Sequence, residues 1–242
     1  YGDHRDLHSF PTRRSSDIIL TNTVSEMMQM KLKIREPFNG FSHLIGAVLS
    51  VVGLVFLIKR ALNCGSISYL VSFIIFGVSL ILLYCASALY HLLAISERVT
   101  KILRYIDHMM IYVLIAGTYT PLCLISLRGM RGTILLISIW AMAIAGIIVT
   151  GFWLNAPRYL TTLIYGIMGW IVVITLPNLI PSITLPGFGW MLAGGIFYTI
   201  GAIMYGLKWP NFSSKIIGFH EIFHLFILAG SFSHYWLILR FV

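Results

Sequence analysis

Residues 68–93 read SYLVSFIIFGVSLILLYCASALYHLL, with no Asp, Glu, Lys or Arg among them. As an α-helix at 1.5 Å per residue the stretch is about 39 Å long, against roughly 30 Å for a bilayer's hydrocarbon core. In lipid the backbone must satisfy its own hydrogen bonds, so such a run is expected to be a membrane-spanning helix. Six further runs of the same character lie at 41–58, 105–127, 132–153, 159–180, 187–207 and 216–239. The breaks between runs are KRALNCGSIS, SERVTKILR, RGMRG, NAPR, PNLIPSITLPG and KWPNFSSK. None shows the ten-residue alternation of an outer-membrane barrel. The expected fold is an all-α bundle of seven transmembrane helices. Pro121 lies inside the third run and is expected to kink it or end it early. Pro177, Pro181 and Pro186 blur the boundary between the fifth and sixth.

Composition agrees. Of 242 residues, 58% are hydrophobic and 10% charged, where a soluble domain carries about a quarter charged. An ordinary soluble globule, a disordered chain and a basic nucleic-acid-binding domain are excluded. The net charge of +9 comes from Lys and Arg set between apolar runs, where they fix topology. With the N-terminus cytoplasmic, that side holds Lys31, Lys33, Arg35, Arg98, Lys101, Arg104, Arg158, Lys208 and Lys215. The other side holds Lys59, Arg60, Arg128, Arg131 and Arg240. The excess predicts N-in, C-out, in a bacterial inner (plasma) membrane. Cys64, Cys85 and Cys123 are odd in number and form no C-x-x-C pair, so neither a disulfide framework nor a four-cysteine zinc site is expected.

Residues 1–17, YGDHRDLHSFPTRRSSD, hold three Arg and three Asp and no apolar run. They are read as a non-native or disordered leader. Residues 18–36, ending in KLKIRE, are read as a cytoplasmic lead-in, and 37–242 as the membrane domain.

Outside the leader the acids are Glu26, Glu36, Glu97, Asp107 and Glu221, and only Asp107 and Glu221 fall within apolar spans. A charge at membrane depth is expensive and normally faces a partner or a cavity. His220 and His224 are i and i+4 and share a helix face, as do Ser87 and His91. The second span ends on the cytoplasmic side, where the third and seventh begin. His91, Asp107, His220 and His224 are therefore expected at one level, within about two helical turns of the inner surface. Three imidazoles at one level suit zinc, which in catalytic sites keeps a fourth position for water. Asp107 is the candidate to hold that water, and Ser87 to orient it or a substrate carbonyl.

HEIFH at 220–224 also fits the H-E-x-x-H pattern in which the glutamate is general base. The competing reading places Glu221 at a helix N-terminus, favoured there by the macrodipole. His43 and His108 are read as interfacial polar residues. His234, about 15 Å beyond His224 along the helix, is read as packing within the bundle.

The segments PFNGFSHLIGAVLS, SALYHLL, YIDHMMIYVLIAGTYTP and HEIFHLFILAGSFSHY resemble the haemolysin III family, which belongs with the progestin and adipoQ receptors, the adiponectin receptors among them. The resemblance spans about residues 37–239. It implies seven helices with the N-terminus inside and a Zn2+ ion near the cytoplasmic surface. By motif the zinc ligands fall on His91, His220 and His224, the water-holding aspartate on Asp107 and the serine on Ser87. The receptors have glutamine where this chain has Glu221, which counts against the zincin reading.

Four functions follow. The first is a zinc-dependent hydrolase acting on membrane lipid amides, since the wider superfamily includes alkaline ceramidases. The second is a non-enzymatic membrane sensor or homeostasis factor with structural zinc. The third is a haemolysin acting by permeabilisation, disfavoured because spans apolar throughout need insertion at synthesis. The fourth, transport, lacks the midplane charges of an ion pathway. Membrane lipids are the expected partners and nucleic acid is not.

Overall fold

The computed structural model describes residues 34–153, 157–210 and 218–242. The leader at 1–17, most of the lead-in, and Lys31, Lys33 and Lys215 lie outside the described residues. Every regular element among those described is helical: α1 Pro37–Cys64, α2 Ile67–Leu92, α3 Glu97–Pro121, α4 Gly129–Phe152, α5 Arg158–Trp170, α6 Leu176–Leu207 and α7 Phe219–Phe241.

Local chemistry sets the boundaries. Pro37 opens α1, where its missing N–H costs nothing. Gly65, at φ 63°, closes it in the left-handed conformation with its N–H on the Leu62 carbonyl. The Ser96 hydroxyl accepts from the Val99 N–H at 3.3 Å and caps α3. Because of that cap, α3 begins eight residues before the apolar run expected at 105–127. Asp107 therefore lies in the third turn of α3 rather than at its start. Pro121 does not end the span: the chain continues through a wider π-helical turn, Leu122–Ser126.

Six stretches among the described residues are long and apolar enough to cross a membrane. Five match the first four and the last of the expected runs. The other, Tyr159–Leu207, is 49 residues long, about 73 Å if it were straight. It contains both remaining runs, 159–180 and 187–207. Its helix is broken by a 3-10 turn at Ile171–Thr175 and by a non-helical Thr184 (φ 64°, ψ 166°) between Pro181 and Pro186. The two halves face each other about that point. The Trp170 indole donates to the Thr199 hydroxyl at 2.9 Å, and Thr162 is the nearest neighbour of Gly206.

The helices contact one another in chain order, and α7 returns to pack on α1, closing a ring. The outside of the ring is apolar: Val48 is 58% exposed, Ile137 64% and Phe152 88%. A water-soluble monomer would not present such a surface; lipid covers it without cost. Inside the ring is a cavity of about 970 Å³, walled chiefly by α3, α5, α6 and α7.

Candidate metal centre

His91 is the penultimate residue of α2, and His220 and His224 lie in the first two turns of α7. Closing the ring brings these two helix ends together. One nitrogen from each of the three histidines falls within 4.8 Å of the other two. The Nε2 atoms of His220 and His224 are 3.3 Å apart. Two nitrogens each about 2.05 Å from one tetrahedral ion would be about 3.3 Å apart, so this pair already has the spacing that shared ligation requires. His91 and His224 are buried and His220 is half-buried.

The third donor is prepared by a carboxylate. The Nδ1 of His91 lies 2.7 Å from Glu36 Oε2, while its buried Nε2 has no hydrogen-bond partner. With the proton held on Nδ1 by Glu36, the Nε2 lone pair is free for a cation. This is the arrangement by which outer carboxylates orient metal-binding histidines. The main chain repeats the tie, since the Glu36 N–H donates to the His91 carbonyl at 3.0 Å. Asn39 links the two acids of the cluster through its amide, at 3.2 Å from both Glu36 Oε2 and Glu221 Oε1. Arg35 adds an ion pair to Glu36 at 3.3 Å. The hydrogen bond to His91 is the main reason the Glu36 carboxyl is held down at about 2, against partial burial that opposes it.

These residues fit a divalent cation by donor chemistry as well as spacing. Three neutral imidazoles leave its double charge uncompensated, and two carboxylates stand nearby. One is Glu36. The other is Asp107, whose electrostatic neighbours include His91, His108 and the Ser87 hydroxyl. Asp107 and Ser87 border the central cavity alongside His220 and His224. The ring thus gathers all five residues singled out in the sequence at one end of the bundle.

Glu221 stands apart in role. Its Oε2 accepts from the Gly218 N–H at 2.8 Å and its Oε1 from Asn39. Both oxygens are committed to capping its own helix and to joining α7 with α1, which is the macrodipole reading rather than the zincin one. His108 places Nδ1 2.7 Å from the Arg104 carbonyl, and its Nε2 is 3.5 Å from the Tyr205 hydroxyl. His234 places Nδ1 2.9 Å from the Gly230 carbonyl and stacks on Tyr198, so it packs within the bundle as expected. His43 is buried rather than exposed, with its ring 4.0 Å from that of His224.

Sequence reasoning missed Glu36 and Asn39. A signal was there: Glu36, Asn39 and His43 are spaced three and four apart, which is one face of the helix entering the membrane.

Residues 32–235 match the sequence model of a family described as haemolysin-III related. The chain is 44% identical over 202 residues to a Hemolysin-3 homolog of Bacillus subtilis (strain 168), covering 83% of this chain and 91% of the relative. It is 41% identical over 218 residues to Hemolysin-3 of Bacillus cereus, covering 90% and 96%. A human protein called monocyte to macrophage differentiation factor is 24% identical over 212 residues, covering 84% and 83%.

Proposed function

The chain belongs to the haemolysin-III related family, and from that premise we propose that it is a zinc-dependent hydrolase of membrane lipid amides. It spans a bacterial inner membrane seven times with its N-terminus inside. The observation that carries this reading is the trio of histidine nitrogens within 4.8 Å, two of whose members, His220 and His224, line a largely apolar cavity bordered by Asp107 and Ser87.

The seven-span count is supported by the break at Thr184 and the facing of Trp170 with Thr199 about it. His91, His220 and His224 would hold the ion, which suits imidazole donors. When bound, zinc supplies Lewis acidity towards a carbonyl and lowers the pKa of water. Asp107 takes the proton of the attacking water and returns it to the amide nitrogen as the amine leaves. Ser87 orients the water or the carbonyl through its hydroxyl. The apolar cavity receives the acyl chain and keeps bulk water from the reacting atoms.

The test measures metal and product together. Purified wild type is expected to contain about one zinc per chain and to release fatty acid from N-acyl lipids; His91→Ala loses both. Equal release by metal-stripped protein rejects the reading.

A second reading has its own support. Glu36, His91 and His220 tie α1, α2 and α7 together, as a structural ion would. On that reading His220→Ala lowers the unfolding temperature while every hydrolysis assay stays blank. Cytolysis, suggested by the names of the Bacillus relatives, is checked by dye release from liposomes exposed to the purified protein.

A further inference from the structure

The His43 imidazole is a buried polar group outside the histidine trio. It is 3% exposed, tilted against the His224 ring at 4.0 Å and edge-on to Tyr84 at 5.0 Å. The His224 main-chain carbonyl is placed to accept the ring N–H, and the other ring nitrogen has no hydrogen-bond partner. It is not part of the trio that shares the 4.8 Å cluster, and it borders the central cavity. A buried ring nitrogen without a partner costs free energy comparable to a lost hydrogen bond. A membrane helix retains one where something else supplies the partner.

We propose that His43 is a binding residue that selects amide over ester lipids in the cavity. A neutral imidazole always keeps one lone pair and one N–H. The lone pair takes the N–H of a secondary amide, a donor that an ester of the same chain lacks. The ring N–H is directed to the His224 main-chain carbonyl. Because His43 packs against His224, the amide held there lies beside the trio, with its acyl chain along the apolar wall. The inference rests on the lipid-amide reading above and names the residue that would enforce it.

Binding is measured by displacement of a fluorescent fatty acid from full-length, zinc-loaded protein in nanodiscs. The probes are N-oleoylethanolamide and the matched ester, 2-hydroxyethyl oleate. Asp107→Asn serves as the parent, so that the amide is not turned over. The parent is expected to prefer the amide by roughly tenfold, the worth of one or two hydrogen bonds. His43→Phe in that parent loses the preference while zinc content, unfolding temperature and ester affinity hold. His43→Gln, which offers both a donor and an acceptor, keeps most of it. If the phenylalanine variant does not fold, His43→Leu against His43→Gln carries the comparison. Undiminished amide preference in the apolar variant overturns the proposal alone, with a bound water then the partner of His43. Loss of zinc in step with the amide also overturns it, since His43 would then serve the metal. A parent that binds neither probe, or binds both equally, overturns it together with the amide reading.

Discussion

At the scale of single residues, the Glu36 carboxylate has the widest reach. It fixes the His91 tautomer from a position just outside the membrane helix. Glu36→Gln is expected to weaken metal affinity by about 10- to 100-fold. Competition with a chromophoric chelator reads this out. The main-chain bond from residue 36 to His91 survives the change, so the end of α2 stays in place and the loss is one of orientation. Glu221→Ala should behave in the opposite way. It removes the carboxylate that caps α7 and costs roughly 1 kcal/mol of stability, with metal content unchanged. Loss of metal from that variant would return Glu221 to the centre.

At the scale of elements, the interruptions in the helices are supported by particular side chains. The 3-10 turn after α5 breaks the regular hydrogen-bond ladder. The Tyr119 hydroxyl of α3 closes the gap, lying 2.8 Å from the Met168 and Gly169 carbonyls and accepting from the Val172 N–H at 2.9 Å. In lipid no water could take its place. Tyr119→Phe is therefore expected to destabilise the protein by about 1–3 kcal/mol, measured by thermal unfolding in detergent. Close approach elsewhere depends on small residues. A Cβ on Gly146 would come within 2.3 Å of the fully buried Tyr112 ring. Gly146→Ala should accordingly cost about 1–3 kcal/mol through overpacking.

At the scale of the whole molecule, the centre exists only because the ring closes. Its donors come from α2 and α7, its outer carboxylate from the entry to α1, and Asp107 from α3. These meet at one end of the bundle. The proposed N-in orientation would place that end in the cytoplasm and leave Cys64 at the opposite end, exposed next to Gly65. A membrane-impermeant maleimide applied to intact cells should label Cys64. A cysteine placed at Ile95, in the exposed turn after α2, should react only after lysis. The reverse pattern would put the centre outside.

Apolar run length and helical spacing alone specify the helices and the trio. An apolar run long enough to cross lipid must be helical wherever it sits, and imidazoles at i and i+4 share a face in any helix. His91, His220 and His224 were legible as one cluster because imidazoles are rare in such runs. Tertiary structure decided the rest. Glu36 reads as one more charge in a basic lead-in until its partner, 55 positions away, arrives beside it. His43 reads as a headgroup-level residue until α7 covers it, and Glu221 keeps two readings until Gly218 and Asn39 claim its oxygens. The physical reason is that periodicity along one helix fixes which side a residue faces, whereas the identity of what it meets there depends on how separate helices dock.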